Sequence, residues 1–119
     1  MSKKVLIIDD VEGVRESLRL ILSDYYNLII TEDAGQGLDC IANDNDIGVV
    51  LLDIKMPGYN GLDVLQKIKS ISPELPVIIV TGYKSVETAT EAVRLGASGY
   101  IIKPFKAEEI LDVVKKKMK

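Results

Sequence analysis

Several polar residues in this chain stand where apolar runs break off. Val5-Leu6-Ile7-Ile8 ends at Asp9-Asp10, Val49-Val50-Leu51-Leu52 at Asp53, Val77-Ile78-Ile79-Val80 at Thr81, and Tyr100-Ile101-Ile102 at Lys103. Brought together, three carboxylates repel and take up protons unless a cation neutralises them. Oxygen ligands without histidine or cysteine select a hard ion that keeps some of its waters. Mg²⁺ is therefore expected, with Mn²⁺ as a substitute and Ca²⁺ poorly served by so few ligands. The hydroxyl of Thr81 and the ammonium of Lys103 add donors for phosphoryl oxygens. The chemistry open to these types is phosphoryl transfer involving a nucleophilic carboxylate, which needs positioning and charge neutralisation more than acid–base groups.

Taken singly, each residue has a plainer reading. Asp10 suits a helix cap, Thr81 a loop or capping hydroxyl, Lys103 a surface lysine, and Asp53 a turn former at a strand end. Only their conjunction at four strand ends argues for a site. Composition narrows the field further. The chain has no histidine, which removes His-based triads, imidazole bases and most zinc sites. Cys40 is alone, so there is neither a disulfide framework nor a cysteine metal cluster. The formal net charge of -3 argues against direct nucleic-acid binding. No stretch suits a membrane span and no secretory signal precedes the first strand, so a cytoplasmic protein is expected.

The elements that must position these groups follow from periodicity. The apolar runs already named are of strand length, and Leu28-Ile29-Ile30 within Asn27–Thr31 makes a further one. Between them lie helical patterns: Val14, Leu18, Ile21 and Leu22; Leu38 and Ile41; Leu62, Leu65, Ile68 and Ile71, stopped before Pro73; and Val86, Ala89, Ala92 and Val93, stopped at Gly96. The fourth helix, about Ser85 to Leu95, has the weakest stripe and reads as the least amphipathic. A fifth helix carries Ala107, Ile110, Leu111, Val114 and Met118 inward. Its Lys115, Lys116, Lys117 and Lys119 read as a solvated face favoured by the helix dipole. The acidic whole disfavours the sharper reading of these lysines as a nucleic-acid tail. Strand–helix units repeated five times across one domain, residues 1–119, predict a parallel sheet covered on both faces by right-handed crossovers. The common open order is 2-1-3-4-5, which makes strands one and three neighbours at the topological switch point. All the polar strand ends then share one edge, with Asp9, Asp10 and Asp53 adjacent.

The motifs Ile7-Ile8-Asp9-Asp10, Leu51-Leu52-Asp53-Ile54-Lys55-Met56-Pro57-Gly58, Val80-Thr81-Gly82, Gly96-Ala97-Ser98-Gly99-Tyr100 and Lys103-Pro104-Phe105 resemble, in order and spacing, the receiver domain of two-component response regulators. The resemblance spans nearly the whole chain. It implies a single (βα)5 flavodoxin-like three-layer sandwich and a signalling role rather than a turnover enzyme. Asp53 would accept a phosphoryl group from a histidine of a sensor kinase or phosphotransfer protein. Asp9 and Asp10 would hold Mg²⁺, with Asp53 and the backbone carbonyl of Lys55 as further ligands, and Thr81 and Lys103 would bind phosphoryl oxygens. Tyr100 resembles the switch aromatic, although a half-buried strand aromatic is its plainer reading. Lys103-Pro104 matches the usual cis peptide.

The same resemblance implies an output face of helix four, strand five and helix five, contacting an output domain or downstream protein. A homodimer formed on phosphorylation is a further implied partner. Gly82 to Ala89 looks like receivers of enhancer-binding activators, and Ser98-Gly99 replaces the acidic pair often found in winged-helix regulators. Lys55 and Tyr83 occupy the variable positions that tune phosphoryl lifetime, and their bulk predicts slow self-dephosphorylation. Other classes fit these residues less well. A haloacid-dehalogenase-like phosphatase expects a second aspartate where Lys55 stands. A flavodoxin-like carrier expects a phosphate loop after the first strand, where Asp9-Asp10 would repel the flavin phosphate. A degenerate receiver acting only as an interaction module would not need all five polar positions.

Overall fold

The computed structural model describes residues 3–118. Lys119, read above with the terminal lysines, lies outside the described residues. The elements alternate as β1 (Lys4–Ile8), α1 (Glu12–Leu22), β2 (Asn27–Thr31), α2 (Ala34–Asn43) and β3 (Ile47–Leu52). They continue as α3 (Gly61–Ile71), β4 (Val77–Thr81), α4 (Val86–Arg94), β5 (Gly99–Ile102) and α5 (Ala107–Lys117). The five strands form one sheet in the order β2-β1-β3-β4-β5, with every pair parallel. This is the predicted order. It places β1 and β3 side by side, with Ile8 opposite Leu52, so the residues that follow each strand emerge together.

Side chains alternate between the two faces of a strand, and here both faces are covered. Leu6, Ile8, Val50, Leu52, Val77 and Ile79 pack with Ile41, Val64, Leu65, Ile68 and Ala92 of α2, α3 and α4. Their strand neighbours Val5, Ile7, Val49, Leu51, Ile78, Val80 and Ile101 pack with Leu18, Leu22, Ile110 and Val114 of α1 and α5. The unbroken apolar runs are thus the mark of strands buried on both sides.

Helix ends follow local chemistry. Asp33, Asn60 and Ser85 accept hydrogen bonds at their side chains from the backbone N–H groups of Gln36, Leu62 and Thr88, capping α2, α3 and α4. α4 stops at Gly96, where φ is +106°. The N–H groups of Gly96 and Ala97 return to the carbonyls of Val93 and Ala92, a Schellman closure that only glycine enters without strain. At the start of α3, a Cβ on Gly61 would collide with the Ile54 backbone. The missing side chain lets α3 press against the loop that leaves Asp53.

Four inward assignments need correction. Ile71, read as part of the α3 stripe, is exposed, and Val64 is buried in its place. Ala107 is exposed at the start of α5. In α4, Val86 is 84% and Val93 61% exposed, and Ala92 is the buried residue. Polar and apolar residues are separated around α4 no less sharply than around α2, α3 and α5, so it is not the least amphipathic helix. What is weak is its seating: the two valines of its stripe are turned away from the sheet and only Ala92 is buried.

Candidate functional site

Asp9 and Asp53 each follow the last residue of a buried strand, and each is nearly inaccessible, at 2% and 4% exposure. The Asp53 N–H donates to the Ile8 carbonyl at 3.0 Å, and the Asp9 N–H to the Thr31 carbonyl at 3.2 Å. Sheet-like bonding therefore carries both carboxylates past the formal strand ends and holds their backbones rigidly. Asp10, one residue further on, is exposed. Carboxylate oxygens of Asp9, Asp10 and Asp53 lie within 4.8 Å of one another.

Among the described residues, a single ammonium reaches this cluster. Lys103 Nζ donates to Asp9 Oδ2 and to Asp53 Oδ2, both at 3.0 Å. The second oxygen of each carboxylate accepts from a backbone N–H two residues on: Asp9 Oδ1 from Val11 and Asp53 Oδ1 from Lys55, both at 2.9 Å. Every buried side-chain polar atom among the described residues has a partner, yet the charges do not balance. Burial raises the Asp9 carboxyl above its ordinary value, and the Val11 amide and Lys103 only partly oppose this, while the Asp53 charge adds to it. Burial alone would lower the Lys103 ammonium, but the hydrogen bonds and charges of Asp9 and Asp53 outweigh it and hold it above the usual lysine value. The two directions pull differently on one ion pair because one cation is shared between two buried carboxylates, with a third beside them. The ammonium has two acids to compensate it, whereas buried Asp9 has only a share of one cation. A donor set of hard oxygens with an unmet need for positive charge fits a divalent cation such as Mg²⁺.

Thr81 ends β4 fully buried, and its Oγ1 accepts from the Tyr83 N–H at 3.3 Å. Its carbonyl accepts from the Lys103 N–H at 2.8 Å, which ties the β4 and β5 ends together. Tyr100 is half-buried on β5, and its hydroxyl donates to the Tyr83 carbonyl at 2.9 Å. Burial, then the neighbouring Tyr83 and Asp53, raises its phenol above the ordinary tyrosine value. The Lys103-Pro104 bond is cis, as the motif implied.

The residues singled out in sequence thus gather on one sheet edge. Asp10 does not cap α1, whose N-cap position is Val11 and carries no side-chain cap. Sequence reasoning missed Arg15, whose Nη1 donates to the Asp9 carbonyl at 3.0 Å. It also missed Thr31, whose buried hydroxyl donates to the Ile7 carbonyl at 2.8 Å. Neither carries a motif. Thr31 does share one signal with the site, since it is a polar residue ending an apolar strand.

Comparison with known proteins gives a consistent result. The family model described as the response regulator receiver domain matches residues 5–115. The response regulator MprA of Mycobacterium sp. (strain KMS) is 38% identical over 112 residues, covering 93% of this chain and 48% of that protein. The chain therefore spans about half the length of such curated relatives. A CheY-like response regulator receiver domain protein from Methanospirillum hungatei superposes with a TM-score of 0.93 at 35% identity, covering 98% of this chain and 94% of that one. The receiver domain of NtrX from Brucella abortus superposes with a TM-score of 0.88 at 38% identity, covering 95% and 96%.

Proposed function

Since the chain belongs to the response regulator receiver family, a signalling domain of two-component systems and not a turnover enzyme, we propose that Asp53 is its phosphoacceptor. The observation that carries this reading is the shared ammonium: Lys103, from the end of β5, holds Asp53 against Asp9 on the same sheet edge. The donor would be a phosphohistidine of a sensor kinase or phosphotransfer protein. A carboxylate oxygen of Asp53 forms the new bond to phosphorus as the P–N bond breaks, and that electron pair leaves with the imidazole. Asp9 and Asp10, with Asp53 and the Lys55 carbonyl, would hold Mg²⁺, with Mn²⁺ as substitute. The bound ion supplies neutralisation of the phosphoryl charge.

The rest is the work of the chain's own residues. Lys103, already between two carboxylates, can follow the added negative charge onto a phosphoryl oxygen. The Thr81 hydroxyl accepts from Tyr83 and so keeps its own proton for donation to another. Drawing Thr81 toward the new dianion would pull on Tyr83, and through the Tyr83 carbonyl on Tyr100. The output surface in this reading is α4, β5 and α5, read by an output domain, a downstream protein or a second phosphorylated copy. Val86, Ala89, Tyr100 and Ile102 line an apolar groove there, in support of that assignment. The domain contributes its own catalytic groups to phosphorylation and dephosphorylation. No helix among the described residues is long and apolar enough to cross a membrane, and we place the domain in the cytoplasm with its phosphodonor.

The test is labelling with acetyl phosphate or beryllofluoride in the presence of Mg²⁺. The native chain should be modified and Asp53→Asn should not. Equal labelling of both would remove Asp53 from the role.

A further inference from the structure

We infer that Arg15 is a positioning residue for the divalent-cation site: its guanidinium grips the main-chain carbonyl of Asp9 and so aims the carboxylate of the next residue, Asp10. The inference rests on Asp9, Asp10 and Asp53 as the cation ligands. It adds a residue whose hydrogen bond goes to none of those three carboxylates.

Asp9 is held at each of its polar atoms. Its N–H donates to the Thr31 carbonyl, while its Oδ1 accepts from Val11 and its Oδ2 from Lys103. Its carbonyl accepts from Arg15 Nη1 at 3.0 Å. Asp10 is the opposite case. It is exposed between β1 and α1, and its carboxylate has no hydrogen bond or ion pair among the described residues. One of its oxygens nevertheless stays within 4.8 Å of oxygens of Asp9 and Asp53. Like charges at that spacing repel, so an untethered Asp10 would swing outward. The restraint lies in the main chain. The Asp9 carbonyl and the Asp10 N–H belong to one rigid peptide plane, and a bond to the first sets the direction in which Asp10 leaves the strand.

Arg15 is built to make that bond. It stands near the start of α1, where its own N–H donates to the Val11 carbonyl, and its side chain is only 17% exposed. Nη2 lies 3.8 Å from Glu32, just beyond β2. One planar fork thus spans the ends of β1 and β2 from α1, which suits a guanidinium better than an ammonium. α1 has no side-chain cap, so this fork is what ties its first turns to the sheet edge. A cation so close to a cation site also has a cost, because its charge repels the ion, and the largely exposed Glu32 offsets that only in part. The two effects have opposite signs. If Arg15 positions Asp10, its removal weakens metal binding; if it acts by charge alone, its removal tightens binding.

The experiment adds Mg²⁺ to the full chain without phosphodonor and follows the amide shifts of Asp9, Asp10, Asp53 and Lys55 in NMR spectra. The native chain is compared with Arg15→Met, Arg15→Lys and Glu32→Gln. Met keeps the apolar stem and removes the donors, whereas Lys keeps the charge and a donor for the carbonyl. Loss of a group that orients a metal ligand lowers affinity by a factor of about ten, and Arg15→Met should show a loss of that size. Arg15→Lys should regain most of it, and Glu32→Gln should stay within a factor of about two of native. Asp53 labelling by acetyl phosphate should then need correspondingly more Mg²⁺ in Arg15→Met, yet reach the native rate at saturating Mg²⁺. A general loss of structure would not give that split. Unchanged or tighter Mg²⁺ binding in Arg15→Met overturns the inference, as does a labelling rate that stays low at saturating Mg²⁺. Arg15→Lys binding as weakly as Arg15→Met removes the carbonyl bond from the role. Glu32→Gln as weak as Arg15→Met makes the ion pair the source and overturns it equally. A native chain with no Mg²⁺-dependent shifts at the three aspartates overturns the cation site itself.

Discussion

Helices α3 and α4 cover the same face of the sheet and are seated in opposite ways. α3 buries Gly61, Val64, Leu65 and Ile68, and its first residue lies hard against the backbone of Ile54. α4 buries only Ala92 and directs Val86 and Val93 at solvent. The first helix is part of the wall that fixes Asp53. The second begins after the loop of Thr81 and Tyr83 and rests lightly on the sheet. The proposed role, holding a nucleophile still and yet reporting its modification, has use for both. The lesson is that the separation of rigid and movable parts is made by how deeply each helix is set, since both are capped at their N-terminal ends and both have an apolar side.

The contrast can be broken at several strengths. Ile68→Ala leaves a cavity under α3 and should cost about 2–5 kcal/mol in urea unfolding. A loss below about 1 kcal/mol would show that α3 is no better anchored than its neighbour. Gly61→Ala should cost about 1–3 kcal/mol by forcing α3 off the Ile54 backbone, and it should lower Asp53 labelling because that loop moves with it. Ser85→Ala removes the α4 cap and should cost about 1 kcal/mol of local helix stability. Amide exchange should then quicken through α4 while α3 stays protected, and uniform quickening would mean that the two helices open together. Val86→Ala and Val93→Ala should each change unfolding stability by less than about 0.5 kcal/mol. The same substitutions should weaken whatever reads the output face, and a large stability loss would mean that the stripe is packed after all. Beryllofluoride with Mg²⁺ sharpens the comparison without mutation. Amide shifts should concentrate in α4 and β5, and shifts confined to α1 and α2 would sink the output assignment.

Sequence carried the architecture a long way because the strands are buried on both faces. A continuous apolar run such as Val49 to Leu52 has few other meanings, and the polar residue that ends it is conspicuous. Asp9, Asp10, Asp53, Thr81 and Lys103 were therefore legible as a set once strand order was assumed. The failures occurred where a helix has an apolar side but the sheet offers it no matching surface. Periodicity groups Val86, Ala89 and Val93 on one side of a helix, yet it holds no information about which side the sheet will cover. Ile71 shares its side of α3 with Val64, seven residues earlier, and differs from it in standing at the last residue of the helix, where periodicity gives no sign that burial has ended. Contacts between loops were out of reach altogether. Nothing in the spacing of Lys55 and Tyr83 says that their side chains meet, and Arg15 reaches Asp9 through a main-chain carbonyl, which any residue could have supplied.

Lys103 meets Asp9 across 94 residues of sequence and Asp53 across 50. As the polypeptide is synthesised, both carboxylates are made well before Lys103, which joins them. Until β5 docks against β4, the acids have no ammonium between them and the site is incomplete. On the proposed reading, the ammonium that completes the site arrives on the same strand as Tyr100, the residue assigned to report it.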